Sequence, residues 1–166
     1  MWKWLAGIAA LPIAAAGVVT AVGLMLPREH SASAEALVTA PPARVAALVR
    51  QVEAQPRWRS GVTAIEIVER RGASLRYVER SGGETITFDF AEERPGERFR
   101  NTIADPDLPF GGFWTVTLAP QGNGTRVRIE ERGHVGNPIY RFFAAIVFGH
   151  DRTMKTYLAD LERALA

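Results

Sequence analysis

The sequence contains no cysteine, which excludes disulfides, thiolate nucleophiles and thiolate metal sites. It is also poor in lysine, with only Lys3 and Lys155 among its 20 basic residues. The arginines alternate with glutamates through the middle of the chain, as in ERRGASLRYVERSGGE. A nucleic-acid-binding domain typically shows a basic stripe with interleaved aromatic residues instead. We therefore expect no nucleic-acid partner.

Histidine is scarce as well: His30, His134 and His150 are spread over the chain and have no acidic neighbours at metal-ligand spacing. In GHD, the histidine and aspartate are adjacent on a predicted helix and so lie on different faces. There is no phosphate-binding glycine loop, no G-x-S-x-G elbow and no H-E-x-x-H motif. These absences predict a protein without a metal site, without a cofactor and without an acyl-transfer nucleophile.

Near its N-terminus the chain contains an uncharged apolar run, Leu5–Leu26. As a helix rising about 1.5 Å per residue it would reach roughly 33 Å, enough to cross the hydrocarbon core of a bilayer. Trp2 and Trp4 precede the run and Arg28 follows it, as is usual at membrane interfaces. A cleaved signal peptide is the alternative, since SASA at 31–34 offers a cleavage site, but its apolar region is usually shorter.

These features predict a single-pass protein of the cell membrane, with residues 1–30 as anchor and flank and 31–166 as the folded domain. The amino terminus and Lys3 precede the run, whereas Arg28 is followed directly by Glu29. Positive charge tends to stay on the cytoplasmic side. The difference favours an extracytoplasmic domain.

The domain begins with a predicted strand over residues 33–39 and a helix in PPARVAALVRQVEAQPRW. Val45, Leu48, Val49 and Val52 recur at helical spacing. Prolines at 41 and 42 suit the first turn of that helix. Pro56 is expected to end it by disfavouring helix at the residue before it.

The apolar period then changes from 3.6 to two, which predicts six antiparallel strands in succession. Turn sequences separate them, and Asn123-Gly124 is expected to form a tight hairpin because both residues tolerate positive φ. The segment 105–113 is a candidate lid, although a packed connection is the commoner case. The six strand sequences are TAIEIVER, ASLRYVERS, ETITFDFAEE, ERFRNTIAD, FWTVTLAP and TRVRIEERGHV.

The C-terminal segment predicts one long helix that Asn137 caps and Pro138 opens. Its apolar residues form one stripe from Ile139 to Leu165. Gly149 interrupts the stripe and is expected to mark either a bend or a close approach to the sheet. A sheet with one apolar face must cover that face, and this helix is available to do so. We therefore predict an α+β fold: a curved seven-stranded antiparallel sheet wrapped around a long C-terminal helix, preceded by a transmembrane helix.

This pattern resembles the SRPBCC superfamily of helix-grip proteins, which includes START lipid-transfer domains and polyketide cyclase/dehydrase-like proteins. The resemblance rests on ALVTAPPARVAALVRQVEAQPRW, GFWTVTLAPQGNGTRVRIEERG and NPIYRFF…TYLADLERAL, which together span residues 33–166. It implies a hydrophobic cavity between the sheet and the C-terminal helix, and together with the apolar N-terminal run it predicts a membrane-anchored bacterial member. Apolar small molecules and lipids are the partners that the resemblance implies.

Strand phase places several polar residues on the apolar face of the sheet. Glu79 follows Leu75 and Tyr77 in phase, Asn101 follows Phe99, and Glu131 follows Val127 and Ile129. Buried carboxylates are costly unless hydrogen-bonded or functional. Glu79 and Glu131 are thus candidate catalytic groups, with a rim position at strand ends as the structural alternative.

Three functions remain open at this point. The first is binding of a hydrophobic small molecule or lipid, without demonstrable catalysis. The second is a cyclase or dehydratase that uses Glu79 or Glu131 as general acid or base. The third is an interaction module with a side-chain-filled interior. The candidate cavity residues are Trp58, Tyr77, Phe88, Phe90, Asn101, Trp114 and Phe143.

Overall fold

The computed structural model describes residues 15–149 and 151–166. Residues 15–25 form helix α1, whereas residues 5–14 of the predicted anchor and His150 lie outside this range. Within the described part of the chain, no helix is long and apolar enough to cross a membrane. The elements that follow are β1 (Glu29–Val38), α2 (Pro42–Arg50), a 3₁₀ helix (Val52–Arg57), β2 (Val62–Arg71), β3 (Ser74–Ser81), β4 (Glu84–Arg94), β5 (Arg98–Ile103), β6 (Phe110–Gln121), β7 (Gly124–Val135), α3 (Pro138–Phe142), a π-helical segment (Phe143–Phe148) and α4 (Arg152–Leu165).

The seven strands form one antiparallel sheet in the order β1-β7-β6-β5-β4-β3-β2. Strands β2 to β7 pair with their neighbours in sequence, which confirms the predicted meander. Strand β1 pairs with β7 and starts earlier than residue 33, because β7 continues far enough to pair Glu29 with His134. Register shifts in β2 and in β4 mark irregularities that bend a sheet.

The first helix of the domain ends sooner than its sequence suggests. Helix α2 stops at Arg50, and Pro56 lies inside the 3₁₀ helix that follows. A 3₁₀ turn is closed by bonds between residues three apart, such as Ala54 N–H to the Gln51 carbonyl at 2.9 Å. The tighter turn places Trp58 and Arg59 between the 3₁₀ helix and the first residue of β2.

The β6–β7 hairpin also differs in detail from its prediction. Gln121 pairs with Gly124, so the two turn residues are Gly122 and Asn123. Gly122 has a φ of 57°, and among the described residues no residue other than glycine has positive φ. Gly124 is needed for another reason: a Cβ there would lie 2.3 Å from the Val38 carbonyl oxygen. The position of the hairpin was predicted correctly, but the roles of its residues were not.

The C-terminal segment is not one continuous helix. Asn137 caps α3 as predicted, because its side-chain oxygen accepts from Ile139 N–H at 2.9 Å. Gly149 then adopts a φ of 71°, which breaks the helix between the π-helical segment and α4. The break turns the first part of the apolar stripe away from the core, so that Ile139 and Ile146 are exposed.

The core lies between the concave face of the sheet and the helices α2 and α4. Helix α4 contributes Met154, Leu158, Leu161 and Leu165, all of them buried. Its orientation is also fixed by the buried Asp160, which accepts hydrogen bonds from Ser60 N–H at 2.6 Å and from Ser60 Oγ at 2.7 Å. This contact ties α4 to the chain just before β2.

Candidate functional site

A cavity of about 360 Å³ lies on the concave face of the sheet, beside α2 and α4. Its inner end is formed by buried residues such as Val49, Phe99 and Val116. Glu84 and Thr153 are exposed and mark its outer end. The interior therefore contains empty space, and the hypothesis of an interaction module with a side-chain-filled interior does not fit it.

An arginine–carboxylate pair lines this cavity. Arg59 Nη1 donates to Glu79 Oε2 at 2.7 Å and to Gln55 Oε1 at 2.6 Å. The side chains of Arg59 and Glu79 are only 14% and 8% exposed. The Arg59 guanidinium also lies 5.4 Å from the centre of the Tyr157 ring. Because each charge is compensated by its partner, Glu79 is held as part of an ion pair.

A second polar pair joins β3 to β5. The Asn101 side-chain N–H donates to the Tyr77 hydroxyl at 2.9 Å, and Asn101 lines the cavity. Tyr77 is almost fully buried, and burial is the main reason that its pKa is raised, with the Glu79 carboxylate adding to the effect. Burial likewise raises the pKa of Tyr157 to about 12. Both tyrosine hydroxyls are therefore protonated and neutral at physiological pH.

Glu131 on β7 is held from two sides. Its Oε2 accepts from Trp114 Nε1 at 2.8 Å, and its Oε1 lies 2.9 Å from His30 Nε2. Gly133 makes room for the His30 ring, since a Cβ there would lie 2.7 Å from His30 Cε1. The carboxylate of Glu131 therefore has a fixed orientation in the cavity wall.

The structure brings most of the predicted residues to the cavity. Those that line it are Glu79, Phe88, Phe90, Asn101, Trp114 and Glu131. Tyr77 lies behind the wall and stacks on Phe88 with ring centres 5.4 Å apart. Trp58 packs edge-on against Tyr157 at 5.2 Å. Phe143 is 40% exposed and lies before the break at Gly149.

Arg59, Gln55, Tyr157 and His30 were not identified from the sequence. The spacing of Gln55 and Arg59 is a weak signal, since residues four apart in a helical segment can meet. The His30–Glu131 pair joins residues 101 positions apart, so no spacing rule along the sequence could identify it. Only the pairing of β1 with β7 reveals that contact.

No group of three or more histidine, aspartate or glutamate side chains is arranged to hold a metal ion within residues 15–149 and 151–166. The polar groups of the cavity instead hydrogen-bond to one another. Such a wall can orient the polar end of a ligand whose remainder is apolar.

A curved antiparallel sheet, a C-terminal helix across it and a cavity between the two define the helix-grip class of domains. The sequence profile of the polyketide cyclase/dehydrase and lipid transport family matches residues 29–166, and the chain belongs to this family. A search of curated proteins gives no match.

Solved structures show the same fold at low sequence identity. A START superfamily protein from Mycobacterium smegmatis is 19% identical, with a TM-score of 0.62 over 82% of this chain and 97% of that one. The Zhui aromatase/cyclase from Streptomyces sp. R1128 is 11% identical, with a TM-score of 0.68 over 82% and 93% of the two chains. Major latex-like protein 151 from Panax ginseng is 8% identical, with a TM-score of 0.65 over 84% and 99%. These likenesses concern the fold.

Proposed function

We propose that this chain is a membrane-tethered, extracytoplasmic domain that holds an apolar small molecule or a lipid chain in its cavity. The observation that carries the proposal is the open space itself, about 360 Å³ between sheet and helices. Ligand sites in proteins typically enclose about 300–1,000 Å³. The family name also includes lipid transport, which agrees with such a ligand.

The walls of the cavity favour an apolar ligand with a small polar end. Phe88, Phe90, Phe99 and Trp114 supply aromatic surface, and removing apolar surface from water contributes about 25 cal/mol per Å². The Asn101 amide adds a polar group that already has one partner. A hydroxyl or carbonyl of the ligand would find a hydrogen-bonding partner there without leaving a charge unpaired.

The tether rests on the sequence. Leu5–Leu26 has no charged residue and is followed by Arg28, and the part of it that the structure describes, residues 15–25, is helical. An apolar run of this length and composition is typical of a membrane span. It would hold the cavity close to a lipid surface.

The binding proposal is tested by photo-crosslinking. The full-length protein in detergent is incubated with a fatty acid that carries a mid-chain diazirine, irradiated, digested and analysed by mass spectrometry. We expect crosslinks in the peptides of β5 and β6 that line the cavity. Ile103→Trp should suppress them, because Ile103 lines the cavity and the larger ring would fill it.

The matched control is Val68→Trp, at a residue of β2 that is 58% exposed and outside the cavity. It should leave the crosslinks unchanged. Crosslinks scattered over the surface, or equal in the Ile103→Trp and wild-type proteins, would contradict a ligand in the cavity.

Proton-transfer chemistry of the cyclase or dehydratase type is a second candidate. It is favoured by one observation, the cavity-facing carboxylate of Glu131 beside His30. Such a pair can take up and return a proton from an acidic C–H next to a carbonyl. Catalysed exchange of the central protons of a β-diketone in heavy water, lost in Glu131→Gln, would support it. Exchange no faster than in buffer would reject it for this substrate class.

A further inference from the structure

The end of helix α1 is built into the folded domain. A Cβ placed on Gly23 would lie 1.9 Å from the carbonyl oxygen of Pro138. No side chain larger than hydrogen fits at that distance, so the backbones of α1 and α3 touch. Helix α1 therefore leaves the domain at a fixed place.

Arg141 reinforces this contact from inside. Its side chain is nearly buried, with the residue 4% exposed. Its guanidinium donates to the carbonyl of Leu26 at 2.9 Å, to that of Gly136 at 2.9 Å and to that of Val135 at 3.1 Å. Leu26 follows the last turn of α1, where unpaired carbonyls favour a cation. One arginine thus joins the end of α1 to the end of β7.

The junction between α1, α3 and the end of β7 lies next to residues that line the cavity. Gly136 N–H donates to the Pro109 carbonyl at 2.8 Å, and the next residue, Phe110, pairs with Val135 and lines the cavity. The connection from α1 through Arg141 to the cavity rim is therefore a continuous set of hydrogen bonds.

An exposed apolar surface surrounds this junction, which we call the rim surface. Among the described residues, nine large apolar side chains are exposed, and seven of them lie on α1, α3 or the π-helical segment. Only Leu37 and Val68 lie elsewhere. The rim surface comprises Val18, Leu24, Met25, Ile139, Tyr140, Phe143 and Ile146, which are between 40% and 86% exposed.

We propose that the rim surface lies on the lipid bilayer that the N-terminal run enters, so that the outer end of the cavity faces lipid and its ligand comes from the membrane. This inference rests on the proposed tether and cavity ligand. A lipid bilayer is the occupant that the chain itself indicates, because α1 continues the apolar run Leu5–Leu26 without a charge. Arg28 and Arg152 are exposed and follow α1 and the π-helical segment in sequence, where they suit anionic headgroups.

In this arrangement Arg141 is a positioning residue. It holds the cavity rim against α1, so the distance between the cavity and the bilayer is set by the fold rather than by a flexible linker. An apolar ligand can then pass between bilayer and cavity without exposing its full surface to water.

The absence of cysteine makes a direct test possible, since each introduced cysteine is a unique label. The full-length Ile146→Cys protein is labelled with an environment-sensitive fluorophore in phosphatidylcholine nanodiscs that contain some phosphatidylglycerol. Quenching by nitroxide-labelled lipid is compared with quenching by aqueous iodide. Val68→Cys is the matched control, because it is equally exposed but lies on β2.

We expect lipid quenching at position 146 to exceed that at position 68 by about threefold or more, as for side chains buried at the headgroup boundary. Iodide should quench the two in the opposite order. Equal behaviour at the two positions would overturn the proposal. A second copy of the chain covering the rim surface would also overturn it, and would appear as protection from both quenchers with two copies per nanodisc.

Arg141→Gln in the Ile146→Cys background tests the positioning role. It should reduce lipid quenching at position 146 while the protein stays in the nanodisc. Gly23→Val provides an independent disruption of the same junction and should act in the same direction, even if the arginine variant fails to fold. Unchanged quenching in a folded variant would remove the positioning role.

The photo-crosslinking assay on the same Ile146→Cys protein distinguishes failure of membrane docking by the rim surface from failure of ligand binding in the cavity. Cavity crosslinks together with water-exposed labels at position 146 would overturn the rim surface and leave ligand binding intact. Quenching of the label by lipid without crosslinks in the cavity would support membrane docking of the rim surface and contradict ligand binding in the cavity. Release of the protein from the nanodisc would reject both the tether and the docking.

Discussion

The buried ion pair in the cavity wall gives the sharpest prediction about stability. Arg59 and Glu79 are to be replaced singly and together, as Arg59→Met, Glu79→Leu and the double variant. Either single change leaves one charge in a place where the side chains are 14% and 8% exposed. The double change removes both charges and puts apolar groups of similar length in their place.

The expected loss of unfolding free energy follows from the burial of these two side chains. Breaking a buried pair by removing one partner typically costs about 3–5 kcal/mol. Gln55 still accepts from Arg59 when Glu79 is lost, and the cavity admits some water, so we expect about 2–3 kcal/mol for each single variant. The double variant should lose no more than either single one. This corresponds to a coupling energy of at least about 2 kcal/mol, a large share of the ~5–15 kcal/mol that stabilises a typical domain.

Urea unfolding of the full-length protein in detergent, followed by tryptophan fluorescence, measures these values. The control is the Arg76–Asp89 pair on β3 and β4, which has two hydrogen bonds of 2.7 and 2.8 Å but side chains that are each 47% exposed. Solvent screens that pair, so its coupling should be much smaller. If the Arg59 and Glu79 costs add within about 0.5 kcal/mol, the reasoning from burial is wrong.

Two predictions concern titration. Burial by itself would raise the pKa of Asp160, but hydrogen bonds from the Ser60 hydroxyl and backbone, together with Arg163, outweigh it and lower the pKa. A lowered folded pKa stabilises the fold above the unfolded value of about 3.9, and this contribution disappears as the pH falls through the folded value. The stability difference between wild type and Asp160→Asn, measured by urea unfolding, should therefore shrink below about pH 4; a constant difference would contradict it. Since Tyr77 and Tyr157, two of the three tyrosines, have raised pKa values, the folded protein near pH 10 should give less than about half of the tyrosinate absorbance of the unfolded chain. Equal absorbance would show that neither ring is buried.

The sequence was sufficient to predict the sheet and to identify the cavity residues that belong to regular strands. Alternation along β3, β5 and β7 determines which side chains face inward, and neighbouring strands continue the same faces. Glu79, Asn101 and Glu131 were therefore placed correctly on the concave side. The two-residue alternation of side chains is enough to assign each residue to a face, because a strand has only two faces.

The partners of those residues were not predictable in the same way. Arg59 follows a 3₁₀ helix, where no regular period fixes the direction of a side chain. His30 reaches Glu131 only because β1 pairs with the last strand of the sheet. Phe143 is exposed in a segment that one residue with positive φ, Gly149, separates from α4. Each of these depends on long-range topology or on one backbone angle, and neither leaves a repeating pattern in the sequence.

The hydrogen-bond donors to the cavity carboxylates limit the kinds of ligand that the cavity can bind. Two of its carboxylates, Glu79 and Glu131, already have donors: Arg59 for the first, Trp114 and His30 for the second. A cationic ligand would have to displace these donors from the carboxylates. The displaced donors would then be left poorly solvated and without their partners, which costs more than a new pair returns. A neutral ligand with one hydrogen-bonding end avoids this cost, so the two carboxylates favour apolar neutral molecules over cationic ones of the same size.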